Sequence, residues 1–146
     1  MKKGLSFLLP ALLSLALLPV ACKDYGKKVD IEGTKGEVYY KDDASLDEAQ
    51  RLGNFLKQIG FLGNEKAASV QVDKKTGNYT VRFVYDKDYF EKTPGVEDFF
   101  KELTARMSAE LFGGSHVDIV LSDKFFNDFK TIPYDAAAGT NPASTQ

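Results

Sequence analysis

A single helical segment fixes most of what this chain can become. Ser45 is followed three positions later by Glu48, the reciprocal pair in which each side chain accepts the other residue's backbone N–H at a helix start. From there Leu46, Ala49, Leu52, Phe55, Leu56 and Ile59 recur at three- and four-residue spacing, one apolar face of a helix, with Asp47, Arg51, Asn54, Lys57 and Gln58 on the wet side. Gly60 stands where a left-handed residue ends a helix, and Phe61 folds back on Leu56. A helix with one apolar stripe must cover something, and the flanking segments have strand periodicity.

Glu37–Lys41 is short, aromatic and β-branched and predicts a strand. Ser69 to Tyr85 predicts a hairpin around Lys74-Lys75-Thr76-Gly77, with Tyr79, Val81, Phe83 and Tyr85 on one face of the return strand. Thr93-Pro94 is the expected start of a second helix, whose stripe is Val96, Phe99, Phe100, Leu103, Met107 and Leu111 and whose stop is Gly113-Gly114. Val117–Leu121 and Phe129–Ile132 complete the set, the last ending at Pro133. The predicted order is β-α-β-β-α-β-β, an α+β two-layer sandwich with an antiparallel sheet and two helices on one face. The far sheet face would carry Thr80, Arg82, His116 and Asp118 with Val84 and Val120.

The chain is 146 residues long with one cysteine, Cys22. Residues 1–21 read as a signal peptide: Lys2 and Lys3, then an apolar run from Phe7 to Leu18 too short to span a membrane, then Pro19-Val20-Ala21. Val20-Ala21-Cys22 resembles the lipobox of bacterial lipoproteins, although Pro19 stands where a Leu is usual. The resemblance implies lipid attachment at Cys22 and an exported protein anchored to a bacterial membrane, facing the periplasm or the cell exterior. Residues 22–35 are expected to be the lipidated cysteine and a flexible tether, whose 13 residues after Cys22 would reach about 20 Å on average. Residues 36–134 form the expected domain, and 135–146 a disordered tail.

Lys2 and Lys3 are two of the 19 basic residues, and no acidic residue precedes Cys22, so a chain starting there has 17 basic and 21 acidic groups, a net charge of −4. Nucleic acid is not an expected partner of such a surface. His116 is the sole histidine, and Ser115, Ser122 and Asp118 along the same stretch do not build the geometry of nucleophilic catalysis. A hydrogen-bonded His116–Asp118 pair is the expected outcome there. Zinc needs several Cys or His ligands; Asp42, Asp43, Asp47 and Glu48 read as acids gathered at a helix start, and Asp86, Asp88 and Glu91 as a second acidic loop, neither of them a calcium loop. No catalytic residue, metal or cofactor is expected.

The segments Glu37-Val38-Tyr39-Tyr40, Glu48–Gly53, Ser69–Val72, Arg82-Phe83-Val84, Phe112-Gly113-Gly114 and Val117–Asp123 together resemble a small domain of uncharacterised bacterial proteins, often ones with membrane segments. That likeness implies a fold and a membrane context and transfers no activity. The functional expectation is a non-enzymatic protein-interaction module that binds another envelope protein, or itself, through the sheet face or an edge. The alternative is a small-ligand or lipid-binding carrier with a pocket among Phe83, Tyr85, Phe99 and Phe100. Tyr39, Tyr40, Tyr85, Tyr89, Phe125 and Phe126 fit neither period, and gathered on the open sheet face or near strand ends they would make a recognition surface.

Overall fold

The computed structural model describes residues 24–140, so the expected leader, Cys22 and the end of the tail lie outside the described residues. Six strands and three α-helices follow one another as β1 (Lys27–Asp30), β2 (Gly36–Asp42), α1 (Leu46–Gln58), β3 (Ala68–Lys75), β4 (Asn78–Val84), α2 (Lys87–Lys92), α3 (Val96–Leu111), β5 (Val117–Ser122) and β6 (Asp128–Ile132). A 3₁₀ turn covers Ala138–Thr140. The fold class is α+β, as the periodicities require.

The expected antiparallel sheet is corrected. The strands lie side by side in chain order, and two of the five pairings, β2 with β3 and β4 with β5, are parallel. The reason is geometric. A strand, a helix and a second strand on short links return the chain to the end it started from, so the strands flanking α1, and those flanking α3, run the same way. Local alternation carries no direction, and the linking helices do. Because the two parallel pairs point in opposite directions while α1 and α3 cover one face, their crossovers have opposite hands. One of them is left-handed, the rare sense.

That covered face is built in rows. Val38, Val70, Phe83 and Leu121 are cross-strand neighbours over four strands, and none of the four is exposed. The next row is Tyr40, Val72, Val81, Ile119 and Ile132. Helix α1 seats Ala49, Leu52, Phe55 and Leu56 on these rows, and α3 seats Phe100, Leu103 and Met107. The capping box is present: Ser45 Oγ accepts from Glu48 N at 3.1 Å and Glu48 Oε2 accepts from Ser45 N at 2.7 Å. Gly60 takes φ +79°, and Phe61 N donates to Leu56 O. The β3–β4 turn is Thr76-Gly77 with φ +48° and +81°, the positive pair that a two-residue hairpin needs.

Two expectations about segments change. The described part of the expected tether is not loose: Lys27–Asp30 pairs antiparallel with β2, and Ile31 is buried in the core. Three of the four strand residues are charged, so no alternation announced β1. The expected tail begins with a turn in which a Cβ on Gly139 would stand 2.8 Å from Ala105 Cβ, so this part of the tail packs closely on α3. In addition, the acidic loop expected at Asp86–Glu91 is the short helix α2, with Asp86 accepting from Tyr89 N at 2.7 Å. Helix α3 starts two residues after Pro94, capped by Gly95 in the left-handed region.

Candidate functional site

The open sheet face is more closed than its half-polar sequence suggests. Its central row is Tyr39, Gln71, Arg82, Val120 and Thr131. Gln71 is buried because the chain before β1 crosses above it: Gln71 Nε2 donates to Tyr25 O at 3.0 Å. Gly26, at φ +81°, makes the bend, and a Cβ there would come within 2.3 Å of Tyr40 O. The Tyr25 ring meets Tyr39 at 6.2 Å and Phe126 at 5.3 Å, and Phe126 meets Tyr39 at 5.8 Å. Phe126 reaches over the sheet because the β5–β6 loop bends it to φ +55°, stabilised by Asp123, whose carboxylate accepts from Phe125 N and Asn127 N. Tyr25 and Phe126, from two separate segments, thus meet over Tyr39 and roof this end of the polar row.

Beneath the roof runs an ionic network. Arg82 Nε donates to both oxygens of Asp128 and its Nη1 donates to Gln71. Asp73, only 6 % exposed, lies 3.8 Å from Lys41 and 3.9 Å from Arg82, and its Oδ1 has no hydrogen-bond partner. Burial, and then the neighbouring Asp42 carboxyl, push its pKa above the usual aspartate value.

Beside this roof opens a cleft of about 890 Å³ at the C-terminal ends of β4 and β5 and the start of β3. Phe61, Val84, Tyr85, Tyr89 and Phe125 supply apolar walls, and Lys66, Lys87 and Lys124 supply positive charge. Tyr89 is 54 % exposed and Phe125 56 %, unusual for large aromatics. Tyr85 is held between Phe100 and Tyr89 by edge-on ring contacts, and Lys124 Nζ lies 5.1 Å from the Phe125 ring centre. The two acids of the lining, Asp86 and Asp123, are turned to backbone amides at 2.7–2.9 Å. The cleft thus pairs aromatic surface with three ammonium groups.

Among the residues singled out in the sequence, Tyr85, Tyr89 and Phe125 meet in the cleft, Tyr39 and Phe126 meet in the roof, and Tyr40 packs against the core. Phe61, read in the sequence only as part of a helix stop, and the three lysines carried no site signal, because they come from two loops and the start of α2 with no common period. The pocket expected among Phe83, Tyr85, Phe99 and Phe100 does not form: Phe83 and Phe100 have no exposure and touch edge-on, Phe99 is exposed, and of the four only Tyr85 lines the cleft. His116 Nε2 and Asp118 Oδ1 are 2.8 Å apart, and the same Asp118 oxygen accepts from Tyr134 N, which ties the strand-end region to the chain after β6. Ser122 is buried with its hydroxyl on Phe83 O. The acids at the start of α1 are engaged separately, Asp42 with Lys75, Asp47 with Arg51 and Glu48 in the cap. Among the described residues no three metal-ligating side chains converge. No described helix is long and apolar enough to cross a membrane.

A family model described as a family N-terminal domain matches residues 28–133. The chain belongs to that family. The match starts inside β1 and ends just past β6, so the family domain includes the strand that the sequence alone assigns to a tether. No curated protein and no solved structure matches the chain.

Proposed function

We propose that the protein is a lipid-anchored envelope protein, exported and held through Cys22, whose domain is a non-enzymatic interaction module. What carries the reading is the cleft of exposed Tyr89 and Phe125 ringed by Lys66, Lys87 and Lys124. Exposed aromatics on a rigid frame, with adjustable charge at the rim, are typical of recognition surfaces. The polar row of the open sheet face is itself covered by Tyr25 and Phe126. The two sheet edges are less suited to binding. The β1 edge carries Lys27, Lys28 and Asp30, and the β6 edge has a bulge at its pairing with β5 and Pro133 just beyond it, devices that discourage strand addition.

A photo-activatable side chain at position 89, compared with one at the comparably exposed Leu46 on α1, tests this in the native envelope. The reading predicts a reproducible adduct with an envelope component from position 89 and none from 46. Equal labelling from the two positions, or none from either, contradicts it.

A second reading, a small-ligand or lipid-binding carrier, is favoured by the cleft volume, which falls in the ~300–1,000 Å³ range of ligand sites. A ligand retained by the purified protein in native mass spectrometry, and lost on Tyr85→Ala, would favour it over the first.

A further inference from the structure

We infer that the cleft and the adjoining aromatic roof rest on the anionic headgroup layer of the membrane that holds the protein. The inference rests on the proposed anchor and names the occupant of the proposed surface.

Chain length makes the first argument. Two residues separate Cys22 from Tyr25, and the three Cα-to-Cα steps between them reach at most about 11 Å even fully extended. Tyr25 is fixed on the domain by Gln71 and by its ring contacts. An acylated Cys22 therefore stands within about 11 Å of the roof, whatever conformation the link adopts. The headgroup layer is itself roughly 5–7 Å thick on each side. The docked strand β1 removes the slack of about 20 Å that a free tether would have given, so the side carrying Tyr25 has little freedom to lift off.

Chemistry makes the second. Phe126 of the roof directly follows Lys124 and Phe125 of the cleft in the β5–β6 loop, so the two surfaces adjoin at that loop. Exposed aromatic rings beside lysines match the bilayer interface, where rings sit at headgroup depth and ammonium groups meet lipid phosphates. On a chain whose net charge is negative, the cleft lining carries three lysines against two acids, a local excess of positive charge; Asp86 and Asp123 aim their oxygens at backbone amides, and Lys87 also lies 3.8 Å from Glu91. A partner surface of anionic phosphates complements that arrangement.

The protein contains no tryptophan, which permits a clean reporter. Full-length acylated chain carrying Phe125→Trp, with Tyr89→Trp as a second probe and Leu46→Trp as reference, is reconstituted on phosphatidylcholine vesicles with and without phosphatidylglycerol. The expected result is flotation with both vesicles, together with a blue shift and loss of acrylamide quenching at positions 125 and 89, larger on the anionic vesicles. Leu46→Trp should not change. Lys66→Glu, Lys87→Glu and Lys124→Glu together should abolish the difference between the two vesicles while flotation persists. A chain that floats with position 125 as accessible as position 46 overturns the inference and leaves the anchor standing. An equal shift on both vesicles overturns the charge recognition. A chain that does not float overturns the anchor and, with it, the inference.

Discussion

Ile31 lies directly on Gly53: a Cβ at position 53 would stand 2.1 Å from Ile31 Cδ1 and 2.5 Å from its Cγ1. The glycine sits in the interior of α1, where alanine would ordinarily stabilise by about 1 kcal/mol. It is kept bare so that the residue after β1 can seat in the core. Gly53→Ala should therefore lower stability, by about 1–3 kcal/mol, the usual range for overpacking. In an Ile31→Ala background the same change should be neutral or favourable, and chemical denaturation of the four proteins of the cycle reads the coupling. Simple additivity would mean that β1 is not docked there.

Glu48 joins the cap of α1 to the sheet. Burial pushes its carboxyl up, but hydrogen bonds from Tyr79 Oη, Ser45 N–H and Lys74 Nζ outweigh that and hold its pKa at about 2, against 4.5 for an ordinary glutamate. A folded pKa below the unfolded one gives stability that is present above about pH 4.5 and is lost as pH falls toward 2. The linked contribution is on the order of 3 kcal/mol. The gap in thermal stability between the native chain and Glu48→Gln should be wide at pH 7 and shrink across that acid window.

Asp73 has the opposite sign. Its folded pKa is raised, by burial first and by Asp42 second, so the ionised form opposes folding at neutral pH and the penalty fades as pH falls. Asp73→Asn keeps the shape and gives Asp42 an amide donor. It should melt higher than the native chain at pH 7, with the difference narrowing in acid. A lower melting temperature at pH 7 would instead mean that the 3.8–3.9 Å pairings with Lys41 and Arg82 dominate.

Binding and stability should separate at the cleft. Tyr89→Ala and Phe125→Ala remove exposed rings and should change unfolding free energy by less than about 0.5 kcal/mol. Phe61→Ala removes a ring packed edge-on at 4.9 Å against buried Phe83 and should destabilise by a few kcal/mol. Loss of capture at the cleft in the first two variants, with unchanged melting, assigns those rings to recognition.

Local chemistry was legible in the sequence where one residue type answers one backbone need. Ser45 and Glu48 announce the start of α1, Gly60 its end, and Thr76-Gly77 the hairpin turn. Strand direction was not legible, since Val70-Gln71-Val72 alternates the same way whichever neighbour it pairs with. Strand β1 escaped because Lys27, Lys28 and Asp30 lie at an edge, where one neighbour suffices and charge protects. Half of the candidate site was visible as aromatics that fit no period. The other half, Phe61 with Lys66, Lys87 and Lys124, is assembled only where the α1–β3 loop, the start of α2 and the β5–β6 loop meet.

Mass spectrometry of the mature N-terminus from the membrane fraction tests the central claim most directly. The account predicts a chain beginning at Cys22 with acyl mass on that residue. A chain retaining residues 1–21, or one beginning at Cys22 with an unmodified thiol, would contradict it.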